Sequence, residues 1–322
     1  MDKKIIYYKD ELNDEFSSAK IEPRVIDENY KYNKNPFWDF CSLIVQNVLS
    51  MPVKVLYSKI KFRVKYVGKE KLKKYKNTGY FIYGNHTQSF ADTFLPSLAN
   101  YPKRNFLIVN PENISMKGMK TLVEMLGAIP VPGNKTAMKN FLETIEKRIA
   151  KKSSITIYPE AHIWPYYTKI RPFKAVSFKY PVKLNKPSFC ITNTYQKRKN
   201  NKIQIVSYID GPFFVNEELS QKEAQQDLRD RIYDCMVERS KNNKVEYIKY
   251  MKMNDKFNPL HEHSVERLEE LSKNLEVNGY DSKMLIAVNG ANVILDGAHR
   301  ASWLFSKQGA DFKVKVLKVY SS

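Results

Sequence analysis

Cysteine is scarce. Cys41, Cys190 and Cys235 are the only three in 322 residues, far apart and with no CxxC pair. That excludes a disulfide framework and predicts a reducing compartment, with thiols serving as ordinary core or interface residues. His261 and His263 have no Cys or carboxylate partners at ligand spacing, so no metal site is expected and a solvated loop is the reading there. No apolar run reaches the ~18 residues of a spanning helix, and no charged–apolar–small pattern marks a cleaved signal peptide. The expectation is a cytosolic protein that can still lie on a membrane.

Positive charge is what the chain has in excess, 54 Lys and Arg against 34 Asp and Glu. Residues 1–35 hold 7 basic and 8 acidic side chains, and residues 255–322 hold 9 of each. The whole surplus, +21, therefore sits in residues 36–254. Such a block attracts polyanions, either nucleic acid or an anionic lipid surface, where each cation contributes roughly 1 kcal/mol. Charge alone does not choose between them. A hydrophobic share of 43% supplies a packed core and excludes global disorder.

The pattern divides the chain into a polar N-terminal arm (1–35), a main domain (36–250), a linker (251–258) and a small C-terminal domain (259–322). Asn35-Pro36 reads as an N-cap and first helical position. Phe37, Trp38, Phe40, Cys41, Ile44, Val45, Val48 and Leu49 then form one broad apolar stripe, and Pro52 is expected to end that helix. At about 22 Å it is too short to span a bilayer. The stripe fits an interfacial helix beside the basic residues Lys61–Lys65, or equally a helix buried on the core.

Beyond it, apolar strands at Gly79–Gly84, Phe106–Val109, Ile155–Tyr158, Phe189–Thr192 and Ile203–Tyr208 alternate with helical stretches, notably Met116–Leu126, Thr136–Lys151 and Glu217–Lys241. This predicts an α/β domain with a mostly parallel sheet flanked by helices. Such sheets place their chemistry in loops after strand carboxyl ends. His86 and Glu160 both fall there. Asp92 follows His86 closely enough to fold back on its ring. A carboxylate on one ring nitrogen fixes the tautomer and leaves the other nitrogen as a general base, though such a pair alone also fits a structural role.

The order strand, Asn85-His86, Asp92, then Gly127-Ala-Ile-Pro-Val131, Tyr158-Pro-Glu160 and Arg171-Pro-Phe-Lys174 resembles the lysophospholipid and glycerol-phosphate acyltransferase (PlsC-like) family over about 36–250. The resemblance implies transfer of an acyl chain from acyl-CoA or acyl carrier protein, the co-substrate, to a lysolipid or glycerol-phosphate hydroxyl, with no other cofactor. It maps the family's catalytic pair onto His86 and Asp92, and its Pro-Glu-Gly motif onto Pro159-Glu160. With the basic block and the reducing compartment read above, the expectation is a cytoplasmic enzyme, peripheral on the inner face of the cell membrane, whose partner is an anionic membrane surface.

Three departures stand out. The spacing is His-x5-Asp rather than His-x4-Asp, Glu-Gly-Thr-Arg is replaced by Glu160-Ala-His-Ile163, and the phosphate-holding Arg after the Gly127 block is absent. Lys135, Lys169 and Arg171 are the cations expected to serve the acceptor instead. Glu160 is a candidate for acceptor hydroxyls. His162 fits a second acid/base and equally a structural histidine beside Trp164, Tyr166 and Tyr167.

The C-terminal domain reads as helix Ser264–Val277, a hairpin of Met284–Val288 and Ala291–Leu295 about Asn289-Gly290, a helix through Lys307 and a strand Phe312–Val319. With the turn Asp296-Gly297-Ala-His299-Arg300 it is similar to the ParB/sulfiredoxin-like α+β fold, which implies a nucleotide or phosphate at that turn. Local pairing of Asp296 with Arg300 is the competing reading. Its zero net charge argues against DNA. Two further readings of the chain stay open. One is a nucleic-acid-associated protein using the basic 36–254 surface, which leaves His86, Asp92 and Glu160 without a purpose. The other is a non-catalytic homologue that binds acyl chains.

Overall fold

The computed structural model describes residues 4–16, 21–198, 202–252, 262–281, 285–289, 294–309 and 313–319. It divides into two units, Met1–Met251 and Lys252–Ser322. The strands of the first are β1 (Lys4–Tyr8), β2 (Lys65–Val67), β3 (Tyr80–Gly84), β4 (Asn105–Val109), β5 (Ala128–Pro130), β6 (Ser154–Ile157), β7 (Ser188–Lys197), β8 (Ile203–Phe213) and β9 (Ile248–Lys252).

Seven of them build the central sheet in the order β2-β8-β7-β3-β6-β4-β5. Every neighbouring pair is parallel except β7 with β8. The mostly parallel α/β fold expected from the sequence is the fold observed. β3 is buried along its whole length, as the inner strand of a sheet covered on both faces must be. Phe81, Tyr83, Ile155 and Cys190 face helices Lys135–Ala150 and Gln221–Ser240 through Phe141, Ile145, Leu228 and Ile232. Ile82, Tyr80, Phe189 and Ile191 face Leu72 and Ala99 on the other side.

β1 and β9, which pair in a two-stranded sheet, fall in stretches read as arm and as the run into the linker, and in the central sheet two short strands escaped the pattern. β2 and β5 have 3 residues each, too few to show an alternation. The helix expected over Met116–Leu126 is only Lys120–Met125, preceded by a 3₁₀ turn at Pro111–Ile114.

The N-terminal helix corrects the expectation about Pro52. Helical turns run unbroken from Pro36 to Phe62, 27 residues and about 40 Å. A π-turn at Val45–Leu49 widens the helix, so Ser50 N–H bonds Val45 O. The Gln46 carbonyl then takes Ser50 Oγ at 2.8 Å and Lys54 Nζ at 3.1 Å. Pro52 lies in the first turn of the next segment, where a missing N–H costs little. By length and composition this helix is long and apolar enough to cross a membrane.

Its sidedness is inverted. Ser42, Gln46, Lys54 and Ser58 are buried against the domain, while Phe37, Phe40, Val48, Leu49, Val53, Leu56 and Ile60 are exposed. Gln46 is tied to Asn105 O and Leu126 O, and Ser42 Oγ donates to Met125 O.

In the second unit, β10 (Ile286–Asn289) pairs antiparallel with β11 (Ile294–Asp296) and parallel with β12 (Val316–Val319). Helices Glu262–Asn278 and Ala298–Gln308 accompany them, and Ile286, Val288 and Leu304 form the core. Val288 faces Ile294, so the connection is longer than a two-residue Asn-Gly hairpin. Asn289 instead stays in β10 to pair with Val319. Gly290–Val293 lie outside the described residues, as do His261, the side chain of His263 and most of the 251–258 linker.

Candidate active site

β3 ends at Gly84, and the chain turns so that His86 Nδ1 lies 2.9 Å from Asp92 Oδ2. The longer spacing is absorbed by a 3₁₀ turn at Ala91–Thr93, with Asp92 N–H donating to Gln88 O at 3.3 Å. Asp92 is fully buried and its carboxylate is saturated. Oδ2 also accepts the N–H groups of Thr87 and Gln88, each at 2.8 Å, and Oδ1 accepts Asn193 Nδ2 at 3.3 Å. With Nδ1 directed at Asp92, Nε2 is left as the acceptor nitrogen.

Several positioning residues carry no local sequence signal. The Tyr158 ring stacks on His86 with centroids 4.4 Å apart, and its hydroxyl donates to Asp92 O at 2.6 Å. Burial, then the nearby Asp92 charge, pushes that phenol well above its ordinary range. Gly84 makes the stack possible, since a Cβ there would come within 2.6 Å of the Tyr158 ring. Asn193 on β7 exchanges two bonds with Asn85, its N–H to Asn85 Oδ1 and Asn85 Nδ2 to its carbonyl. Tyr195 gathers Thr87 and Gln88 beside them. Only the pairing of β3 with β7 brings these residues together.

Glu160 is buried and binds backbone. Its Oε2 accepts His86 N–H and its Oε1 accepts Arg171 N–H, both at 3.0 Å. Arg171 is fully buried too, 3.5 Å from Glu160 Oε2, and donates to the carbonyls of Glu160 and His162. Burial raises the Glu160 carboxyl against the opposing pull of Arg171, and burial lowers the Arg171 guanidinium. The pair locks the β3 and β6 loops together. Ala161 follows at φ +62°, the left-handed conformation that explains a glycine in a Pro-Glu-Gly motif.

His162 lies 3.4 Å from Glu15 of the N-terminal arm. The same arm reaches Trp164 and Arg171 through Asp14 O and Glu11 O. Lys135 and Lys169 are exposed. Neither lines the cleft of about 330 Å³ beside His86. That cleft is walled by Leu107, Ile108, Val131 and Ile157, and its charged lining residues among those described are Glu15 and Glu112.

In the second unit Gly297 adopts φ +84° before helix Ala298–Gln308, and Arg300 stands in the helix's first turn. The side chains of Asp296 and His299 lie outside the described residues. Cys190 and Cys235, remote in sequence, bring their sulfurs to 3.8 Å as free thiols. Asp210 joins them to make a potential metal-ligand group, but its oxygens already hold Lys71 and Arg239 at 2.7–2.8 Å.

No curated protein matches the sequence. Among solved structures, the 1-acyl-sn-glycerophosphate acyltransferase of Thermotoga maritima aligns at 14% identity with a TM-score of 0.42, covering 65% of this chain and 95% of that one. A family model described as Acyltransferase matches residues 63–194, the stretch that holds His86, Asp92, Glu160, Arg171 and Asn193.

Proposed function

We propose that the protein moves a fatty acyl group from a thioester donor, acyl-CoA or acyl carrier protein, to a hydroxyl of a lysophospholipid or glycerol-phosphate-like acceptor at a membrane surface. The observation that carries this reading is the His86–Asp92 contact of 2.9 Å beside a cleft walled in part by Leu107, Ile108, Val131 and Ile157. His86 Nε2 takes the acceptor O–H proton as the oxygen attacks the thioester carbonyl. The new ester C–O bond forms, the C–S bond breaks, and the imidazolium returns its proton to the departing thiolate. Asp92 stabilises the imidazolium between those steps.

Membrane contact is supported by the inverted helix Pro36–Phe62, whose apolar side is the exposed one. Water does not favour that arrangement and lipid does. The +21 surplus in residues 36–254 is the charge complement of an anionic leaflet. The proposed side is the inner face of the cell membrane. For the second unit, a nucleotide or phosphate at the Gly297–Arg300 turn remains the proposed ligand.

The test incubates the protein with labelled acyl-CoA or acyl carrier protein and acceptors with and without a phosphate. Transfer by the wild type and none by His86→Ala is expected. Equal turnover by both would remove His86 from the mechanism. The acceptor preference then reports whether Glu15 and Glu112 tolerate a phosphate beside the reacting hydroxyl.

A further inference from the structure

At the amino-terminal ends of β3, β4 and β6, the edge of the sheet away from His86, opens a cavity of about 720 Å³. Seven of its fourteen described lining residues are cationic and none is acidic. The carboxylate within reach is Asp39, which holds Arg148 and Lys151 at 2.8 Å each. Arg104 binds only neutral oxygens, Gln46 Oε1, Ser42 Oγ and Asp39 O. Lys103 binds the carbonyls of Lys76, Thr78 and Lys152. Lys73, Lys76 and Lys152 are exposed at its rim. The positive charge is therefore largely uncompensated. Burial together with the Lys152 charge holds the Lys103 ammonium down at about 8. Burial together with Arg148 lowers Arg104 to about 10.

Unsatisfied polar atoms lie in the same walls. Tyr80 is fully buried and its hydroxyl has no hydrogen-bond partner, and the donor Arg148 Nε is likewise unpartnered. A buried donor without an acceptor costs roughly 1–3 kcal/mol, which a bound acceptor would recover. Lys152 meanwhile sits at φ +60° directly after the helix Lys135–Ala150 and its cap residue Lys151, a position that glycine normally fills. A charged side chain is held there at a conformational cost.

We propose that this cavity binds a phosphate-bearing anion. Phosphate oxygens accept from guanidinium, ammonium and phenol alike, and a pocket of cations without carboxylates suits them. The Tyr101–Lys103 loop at its edge is joined to the apolar helix by Asn47 Nδ2 donating to Pro102 O at 2.8 Å. A lipid phosphate and a free phosphate ester can both present this chemistry. The inference does not depend on the acyl-transfer reading.

The test compares the full-length wild type with Lys73→Gln/Lys76→Gln/Lys152→Gly and with a charge-matched control, Lys174→Gln/Lys202→Gln/Lys222→Gln. Binding is measured to pyrophosphate by calorimetry, and to phosphatidylglycerol against phosphatidylcholine vesicles by co-sedimentation. The site variant is expected to bind at least about tenfold more weakly while the control stays near wild type. A loss confined to vesicles identifies a lipid phosphate, and a loss confined to pyrophosphate identifies a free one. No wild-type binding to either probe, or an equal loss in control and site variant, overturns the proposal. A thermal midpoint of the site variant no lower than that of the wild type establishes that the loss is local.

Discussion

The imidazole of His86 lies nearly flat on the ring of Tyr158, 17° from parallel, while the Tyr158 hydroxyl holds the backbone carbonyl of Asp92. One side chain thus fixes both partners of the pair, the ring of the first by stacking and the backbone of the second by a hydrogen bond. Tyr158→Phe keeps the stack and frees one buried carbonyl. It is expected to lower stability by about 1 kcal/mol and to reduce turnover less than His86→Ala does, checked by thermal unfolding and acyl-transfer rates.

His86→Ala removes the proposed base without touching the bonds of Asp92 to Thr87, Gln88 and Asn193. Turnover is expected to fall by roughly 10²–10⁴ with the fold intact. Asp92→Asn is a different experiment. Its amide nitrogen must face either two backbone N–H donors or the Asn193 amide, so a loss of about 1–3 kcal/mol in stability accompanies the loss of activity. Unfolding midpoints of the two variants separate these effects.

Ala161 occupies a left-handed conformation in the loop behind the site. Ala161→Gly relieves a cost of roughly 1–2 kcal/mol, offset in part by the greater freedom of glycine when unfolded. A small rise in denaturation midpoint is expected. A fall would mean that the Ala161 methyl group contributes packing worth more than the strain.

Burial by itself would raise the Asp210 carboxyl, but hydrogen bonds and charge from Arg239 and Lys71 hold it below its ordinary 3.8. The unfolded chain therefore binds the proton more readily than the folded one. The contribution of Asp210 is present above about pH 4 and is lost as pH falls through the depressed folded value. The stability gap between wild type and Asp210→Asn, followed by thermal unfolding from neutral pH to about pH 3, should narrow with acid.

Leu49 and Val53 stand on the outward side of the Pro36–Phe62 helix, both largely exposed. Leu49→Glu/Val53→Glu is expected to abolish co-sedimentation with anionic vesicles and to leave the unfolding midpoint unchanged. A collapse of the fold instead would show that this face packs against protein.

Strand periodicity, the helix-favouring stretches and the α/β order were legible because each is set by neighbours within a few residues. His86 and Asp92 were legible for the same reason: they share one loop. Glu160 and Arg171 drew attention as charged residues near a strand end. Their burial and mutual contact, which turn them from surface groups into a brace beneath His86, follow only from packing.

The passage of the N-terminal helix through Pro52 was hidden, because it depends on the π-turn at Val45–Leu49 that leaves Pro52 in the first turn of the next segment. The sequence by itself determined that His86 and Asp92 share one loop, where the longer strands of the central sheet lie and that the central block is basic. Tertiary structure alone decided that Asn193 and Tyr158 converge on the pair, that the cleft is lined by Glu15 and Glu112, and that seven cations gather at the opposite edge of the sheet. The physical reason is that hydrogen bonds, stacking and charge act over a few ångströms in space, and only the pairing of distant strands brings such residues that close.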